Sequence, residues 1–242
     1  MNTLSEKSTV ALLKQNNKRF APSFLEHDWY ILKSLRAAID SFLAFERLTD
    51  KAQIVVDMGC GDRPYEPLFR TGECRYIGCD ISGDVDILLE SGQRVNLPDN
   101  YADGVVSFQV LEHVWDLGWY LGECHRILKP GGWLLLSTHG TWLYHAHPTD
   151  YRRWTRPGLL GELRDRGFVL DRIEGIVGPL AWTTQIRLLA IRHVLETLPL
   201  LVNAILFPVV VIMNVRMMLE DWLTPHSIRN DNACVYLTLC RK

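Results

Sequence analysis

At 242 residues, 48% of them hydrophobic, the chain can bury one sizeable core and is short for two domains. Its 26 basic and 28 acidic residues leave no basic excess or stripe, which argues against a nucleic-acid partner. The six cysteines (Cys60, Cys74, Cys79, Cys124, Cys234 and Cys240) form no CxxC pair, so a reducing compartment without structural zinc is expected. The polar opening stretch lacks the apolar core of a signal peptide, which makes the cytoplasm the expected location.

Residues 1–50 read as a helical cap. Trp29, Leu32, Leu35, Ile39, Phe42 and Leu43 recur at three-to-four spacing, with Lys33, Arg36 and Asp40 between them. Ile54-Val55-Val56 then leads into Asp57-Met58-Gly59-Cys60-Gly61, a strand feeding a glycine turn. Tyr76 to Asp80 reads as a second strand, Val85 to Leu89 as a weaker third, and Gly104 to Phe108 as a fourth. A helix is expected from Trp115 to Leu128, stopped by Pro130-Gly131-Gly132. Trp133 to Ser137 reads as the fifth strand. A short helix around Leu159, Leu160 and Leu163 ends at Gly167, followed by strand-like stretches from Phe168 to Val177 and from Ala233 to Leu239. Strands alternating with helices imply a largely parallel sheet.

The turn after the first strand has a physical logic. Gly59 and Gly61 let the backbone turn tightly and let a ligand approach its peptide groups. Asp80, 23 residues after Asp57, stands where a carboxylate can accept the hydrogen bonds of a ribose diol. The third glycine of a dinucleotide fingerprint is missing near Pro64. A carboxylate at Asp57 would repel a pyrophosphate and suits an ammonium group instead.

The runs VVDMGCGDRPYEPLF, YIGCDI, NLPDNYADGVVSFQVLEHV and LKPGGWLLLSTHG resemble the class I S-adenosylmethionine (SAM)-dependent methyltransferases, closest to the branch acting on small molecules and sugars. The resemblance implies an α/β, Rossmann-like seven-stranded sheet of order 3-2-1-4-5-7-6 with strand 7 antiparallel. That is a single domain with core segments 52–178 and 232–242 and an apolar helical insertion over 180–223. It also implies SAM as cofactor. Asp57, Gly59, Cys60 and Gly61 would cradle its methionine part, Asp80 would hold the ribose, Ile81 would pack on the adenine, Gln93 would fall at the adenine position, and Gln109 would face the methionine end.

Methyl transfer requires an aligned acceptor and, for a hydroxyl, removal of its proton. The acceptor in this fold lies above the ends of strands 4 and 5, where two segments reach. In Leu111-Glu112-His113, metal-binding relatives carry Glu-x-x-Glu-His. Here Gln109 replaces the first Glu, and no metal is expected. Residues 137–154 hold His139, His145, His147, Asp150, Tyr151, Arg152 and Arg153. An imidazole suits proton removal near neutral pH, so His139, nearest the strand end, is the first candidate base. His145 is the second, and His147 is expected to turn toward Asp150. His113, Tyr144, Tyr151 and Arg152 are candidate substrate contacts, with Arg152 suited to an anionic group.

Leu198 to Val215 contains no charged residue. Pro199, Asn203, Pro208 and Asn214 interrupt it, and the last strand must return to the same sheet, so a membrane span is not expected. A helical layer on the core, a lid over a hydrophobic acceptor, a homodimer contact and a surface resting at a membrane or on a lipid-linked substrate all remain open. The leading expectation is transfer of a methyl group to a hydroxyl of a small-molecule or sugar acceptor in biosynthesis. Alternatives are C- or N-methylation of a hydrophobic metabolite, an NAD-dependent oxidoreductase and a non-catalytic SAM-binding subunit.

Overall fold

The computed structural model describes residues 18–46, 48, 53–70, 74–195 and 202–242, with the backbone alone for 202–205. In chain order these form α1 (Trp29–Phe45), β1 (Ile54–Met58), α2 (Glu66–Phe69), β2 (Arg75–Asp80), β3 (Ile87–Leu88) and β4 (Ala102–Phe108). A 3-10 turn (Leu111–His113), α3 (Leu117–Ile127), β5 (Leu128–His139), α4 (Arg156–Asp165) and β6 (Val169–Ile176) follow. The chain closes with α5 (Pro179–Leu195), α6 (Val202–Leu223), α7 (His226–Asp231) and β7 (Val235–Arg241).

One seven-stranded sheet runs β3-β2-β1-β4-β5-β7-β6. β7 is antiparallel to both its neighbours, while the other pairs are parallel. This is the expected Rossmann-like order. Period-two alternation divides the strands between two cores. Val55, Val106, Trp133 and Leu135 face α1, α5 and α6, where Leu35, Ile39, Phe42, Leu188 and Met217 are buried. Val56, Val105, Leu134 and Leu136 face α3 and α4, against Leu121, Cys124, Ile127, Leu159 and Leu163. Five of the six cysteines are buried.

Several boundaries differ from those expected. The third strand shrinks to Ile87–Leu88. The helix before β5 starts only at Leu117, because the side chain of Asp116 accepts a hydrogen bond from the Trp119 N–H and caps it. β5 begins at Leu128, five residues early, and the ladder register shifts between Ala102 and Gly104 to absorb the Pro-Gly-Gly run.

The insertion is the pair α5 and α6, packed against α1 and the sheet face behind it. Part of the apolar run, 198–201, lies outside the described residues, as does the cap before residue 18. Among the described residues no helix is long and apolar enough to cross a membrane. Asn214 is fully buried, and its Nδ2 donates to the carbonyls of Phe24 (2.7 Å) and Glu26 (3.1 Å). Gln185 Nε2 likewise donates to the His27 carbonyl at 2.9 Å. Asn214 and Gln185 therefore bind the segment leading into α1. The outer face of α6 exposes Phe207, Ile212, Leu219 and Trp222.

Candidate active site

The glycine loop follows from β1 and β2 ending side by side, with Met58 opposite Cys79. The amides of Gly59 and Cys60 both donate to the Cys79 carbonyl, at 2.8 and 3.0 Å. Gly59 sits at φ +85°, and a Cβ there would fall 2.5 Å from Val110 Cγ2, so only glycine fits. At Gly61 (φ +50°) nothing lies within 4 Å of an added Cβ, which leaves the loop open to a ligand. Asp80 organises this mouth. Its Oδ2 accepts from Gly61 N at 2.7 Å and its Oδ1 from Ile81 N at 2.6 Å. Each carboxylate oxygen keeps a lone pair for a further donor. Ile81 beside it is exposed.

Asp57 is buried and accepts from the Tyr76 hydroxyl at 2.6 Å through Oδ2, while Oδ1 has no partner. Burial pushes its carboxyl up to about 7, with the Tyr76 hydrogen bond pulling the other way. Burial likewise raises the Cys60 thiol, so that residue contributes backbone and volume and no thiolate. Gln109 stands at φ +58°, donates from Nε2 to Ser137 Oγ at 2.9 Å, and keeps Oε1 buried without a partner. Gln93 is turned toward Glu90 at 2.5 Å, and its carbonyl accepts from the Trp119 indole.

This loop fits SAM on its own terms. Asp57 offers an orphaned buried acceptor for the ammonium of the methionine part, Gly61 leaves space beside it, and Asp80 presents oxygens suited to the ribose hydroxyls.

The ends of β4 and β5 carry a second cluster. Glu112, in the 3-10 turn, is 0% exposed. Thr138 Oγ1 donates to its Oε2 at 2.8 Å, while Oε1 has no hydrogen bond and lies 3.6 Å from His139 Nε2. Burial pushes the Glu112 carboxyl up to about 7, opposed by its backbone and Thr138 hydrogen bonds. His139 is 7% exposed and stacks on Trp142, with ring centroids 5.0 Å apart. Burial holds its pKa well below the usual imidazole range, reinforced by the charges of His145 and Arg153. It lies against the Glu112 carboxylate beneath the Trp142 ring.

The residue held by Asp150 is His145. Asp150 Oδ2 accepts from the His145 amide at 3.0 Å and lies 3.4 Å from its Nδ1. His147, expected there, is exposed and follows His145 with rings 6.4 Å apart. Arg153, readable as surface charge, clamps both oxygens of Asp150 at 2.5 Å. Burial opposes ionisation of Asp150, but the Arg153 hydrogen bond and charge hold its pKa down to about 2. His145 itself is held below the usual imidazole value by burial, with Asp150 pulling upward.

His113 bridges the two segments. Its Nδ1 donates to the Thr149 carbonyl at 2.8 Å, so in the neutral ring Nε2 is the accepting nitrogen. Its ring meets His145 edge-on at 4.9 Å. At the rim Tyr151 packs on Trp115 at 5.2 Å, Arg152 donates to the Trp115 carbonyl at 3.0 Å, and Tyr144 is exposed. Sequence reasoning missed Trp115, Trp142 and the clamp formed by Arg153. Their roles depend on loop paths that residue spacing does not report.

Residues 29–170 match the family model described as a methyltransferase domain. The chain belongs to this family, within its class I, SAM-dependent branch. It is 34% identical over 109 residues to a probable S-adenosylmethionine-dependent methyltransferase of Mycolicibacterium smegmatis, covering 40% of this chain and 42% of that one. It is also 27% identical over 157 residues to a ubiquinone biosynthesis O-methyltransferase of Nitrosospira multiformis, covering 50% and 65%. The chain spans about half the length of the curated relatives it matches. A crystal structure of a SAM dependent methyltransferase from Archaeoglobus fulgidus shares the fold, with a TM-score of 0.52 at 17% identity over 95% of this chain and 99% of that one. The nicotinamide alternative has no support among these matches.

Proposed function

We propose that the protein transfers a methyl group from SAM to a hydroxyl of a small-molecule or sugar acceptor bound between the glycine loop and the ends of β4 and β5. The observation that carries this reading is the gathering of His113, His139 and His145 with Glu112 and Asp150 beside the loop suited to SAM. A ubiquinone biosynthesis O-methyltransferase among the relatives agrees with a hydroxyl acceptor.

Bound SAM supplies an electrophilic methyl on a sulfonium that needs no further activation. The protein's task is to align the acceptor oxygen and take its proton. His113 is the best-built proton acceptor, since the Thr149 carbonyl fixes its tautomer and leaves Nε2 as the accepting nitrogen. His139, the first candidate from sequence, is shielded by Trp142 and engaged with Glu112. His145, oriented by Asp150, forms the wall beside His113. Trp115, Tyr144 and Tyr151 offer the rim flat apolar faces for an aromatic ring or the CH face of a sugar.

The test is S-adenosylhomocysteine formation from SAM over a panel of phenolic and sugar-hydroxyl acceptors, with mass spectrometry of the product. An O-methyl product, with kcat reduced about 100-fold or more in His113→Gln at unchanged SAM affinity, supports the reading. A methyl group found on nitrogen or carbon overturns the acceptor class. A His113→Gln enzyme with unchanged kcat removes His113 as base.

A further inference from the structure

We infer that Glu112, His139 and His145 form a binding site for one divalent transition-metal cation, zinc being the reference ion. The three side chains come from the turn after β4, the last residue of β5 and the following loop. One ligand atom from each lies within 4.8 Å of the other two. Zinc with ligands at about 2.1 Å in tetrahedral geometry sets its ligand atoms roughly 3.4 Å apart. Glu112 Oε1 and His139 Nε2 already stand at 3.6 Å. Closing the rest of the triangle takes at most about 1.4 Å, the difference between the 4.8 Å bound and the tetrahedral spacing.

The second observation is the state of Glu112. It is fully buried, its Oε2 is satisfied by Thr138, and its Oε1 points at His139 without a hydrogen bond. Among the described residues no Lys or Arg pairs with it. A buried acceptor left unpaired is costly, and a cation bound by Oε1 and the two imidazoles removes that cost.

The surroundings of His145 match those of a metal ligand. Its Nδ1 side is occupied by the Leu143 carbonyl and Asp150, each at 3.4 Å, so Nε2 is the nitrogen it can offer. Asp150 is in turn fixed by Arg153. A carboxylate behind a ligating histidine orients the ring and strengthens it as a donor. Two imidazoles and one carboxylate suit zinc and its neighbours better than magnesium or calcium, and three protein ligands leave a position open for an acceptor hydroxyl.

This set differs from one built on Gln109, Glu112 and His113: the donor atoms that lie within reach of one another are those of Glu112, His139 and His145, and neither Gln109 nor His113 is among them. The second acidic group, Glu26-His27-Asp28, is no rival. Lys18 bridges Glu26 and Asp28, and Arg192 bonds His27, so cations of the chain already fill it. The role given to the cation, lowering the pKa of the acceptor hydroxyl so that His113 takes its proton, rests on the proposed methyl transfer. The binding itself does not.

The test uses the full chain stripped with chelator and titrated with cobalt(II), then displaced with zinc. Wild type is expected to take up one equivalent and show the visible bands of nitrogen and oxygen ligation. His113→Gln and His27→Gln should keep those bands. Glu112→Gln and His139→Gln should each lose more than about 100-fold in zinc affinity. Absent bands in folded wild type, or bands that survive both of these substitutions, overturn the site. His145→Gln, at a half-exposed position, replaces either variant that does not fold. SAM calorimetry on the same samples reads the methyltransferase proposal separately, so either idea can fail alone.

Discussion

Replacing Asp80 with alanine tests the cofactor site most directly. The carboxylate has two tasks: it holds the amides of Gly61 and Ile81 at 2.7 and 2.6 Å, and it faces outward with lone pairs to spare. The first task is partly replaceable by water, because Asp80 is half-exposed, so its loss costs the free protein about 1 kcal/mol or less. The second is not replaceable once a nucleoside covers the loop. Two charge-assisted hydrogen bonds to ribose hydroxyls contribute about 1.5–3 kcal/mol each, and discounting for the solvation Asp80 enjoys beforehand leaves roughly 2–4 kcal/mol. That corresponds to a Kd for SAM raised about 30- to 700-fold. Calorimetry at matched pH gives the Kd, and urea unfolding of the same variant reports the stability. Asp80→Asn should fall between the two, since it keeps one acceptor but turns an amide donor toward a backbone N–H. A folded Asp80→Ala protein that binds SAM within threefold of wild type would refute the reasoning.

Gly59→Ala places a methyl group 2.5 Å from Val110 at φ +85°, so we expect about 2–4 kcal/mol of lost stability in urea melts. Adding Val110→Ala should restore part of it, because only the steric share is relieved. Asn214→Leu strands the Phe24 carbonyl and should cost about 2 kcal/mol, a fall in Tm of roughly 4–8 °C, with faster amide exchange in the segment before α1. Asp57 titrates near 7 in the fold against 3.8 ordinarily, through burial first. The folded SAM-free protein therefore binds more protons than the unfolded chain between about pH 4 and 7. Stability should fall as pH rises through that window, by up to about 1.4 kcal/mol per pH unit from Asp57 alone; Glu112, raised in the same way, adds to it, so Asp57→Asn should reduce the slope and leave the Glu112 share.

The parts legible in sequence were those set by short-range chemistry. Gly59 and Gly61 mark a turn that follows the β-branched run Ile54-Val55-Val56, and Asp80 ends the next strand at a fixed distance from them. The sheet order itself came from the family resemblance, since periodicity does not say which strands are neighbours. At the second cluster the residue types were readable and their pairing was not. His147 and His145 lie two positions apart, and only the path of the loop decides that Asp150 meets His145. His139 looked like the mouth of the site because it ends β5, yet Trp142 folds back over it. Glu112 finds its partner Thr138 26 residues away across the β4–β5 pair, a contact that sequence spacing does not display. Asn214 read as an interruption of an apolar run and serves instead as an anchor for backbone 190 residues away.

That anchor has a consequence for how the protein is made. The segment around Phe24 and the apolar stripe of α1 leave the ribosome before Asn214 and before β6 and β7, two of the strands they pack on. At about 5–20 residues per second, a separation of 190 residues means a wait of roughly 10–40 s. During that interval a stripe holding Leu35, Ile39 and Phe42 lacks the part of its docking surface that Leu188, Met217, Leu237 and Leu239 supply. A nascent chain in that state exposes the apolar surface that chaperones cover, and its folding in a cell is expected to depend on their supply as well as on its finished stability.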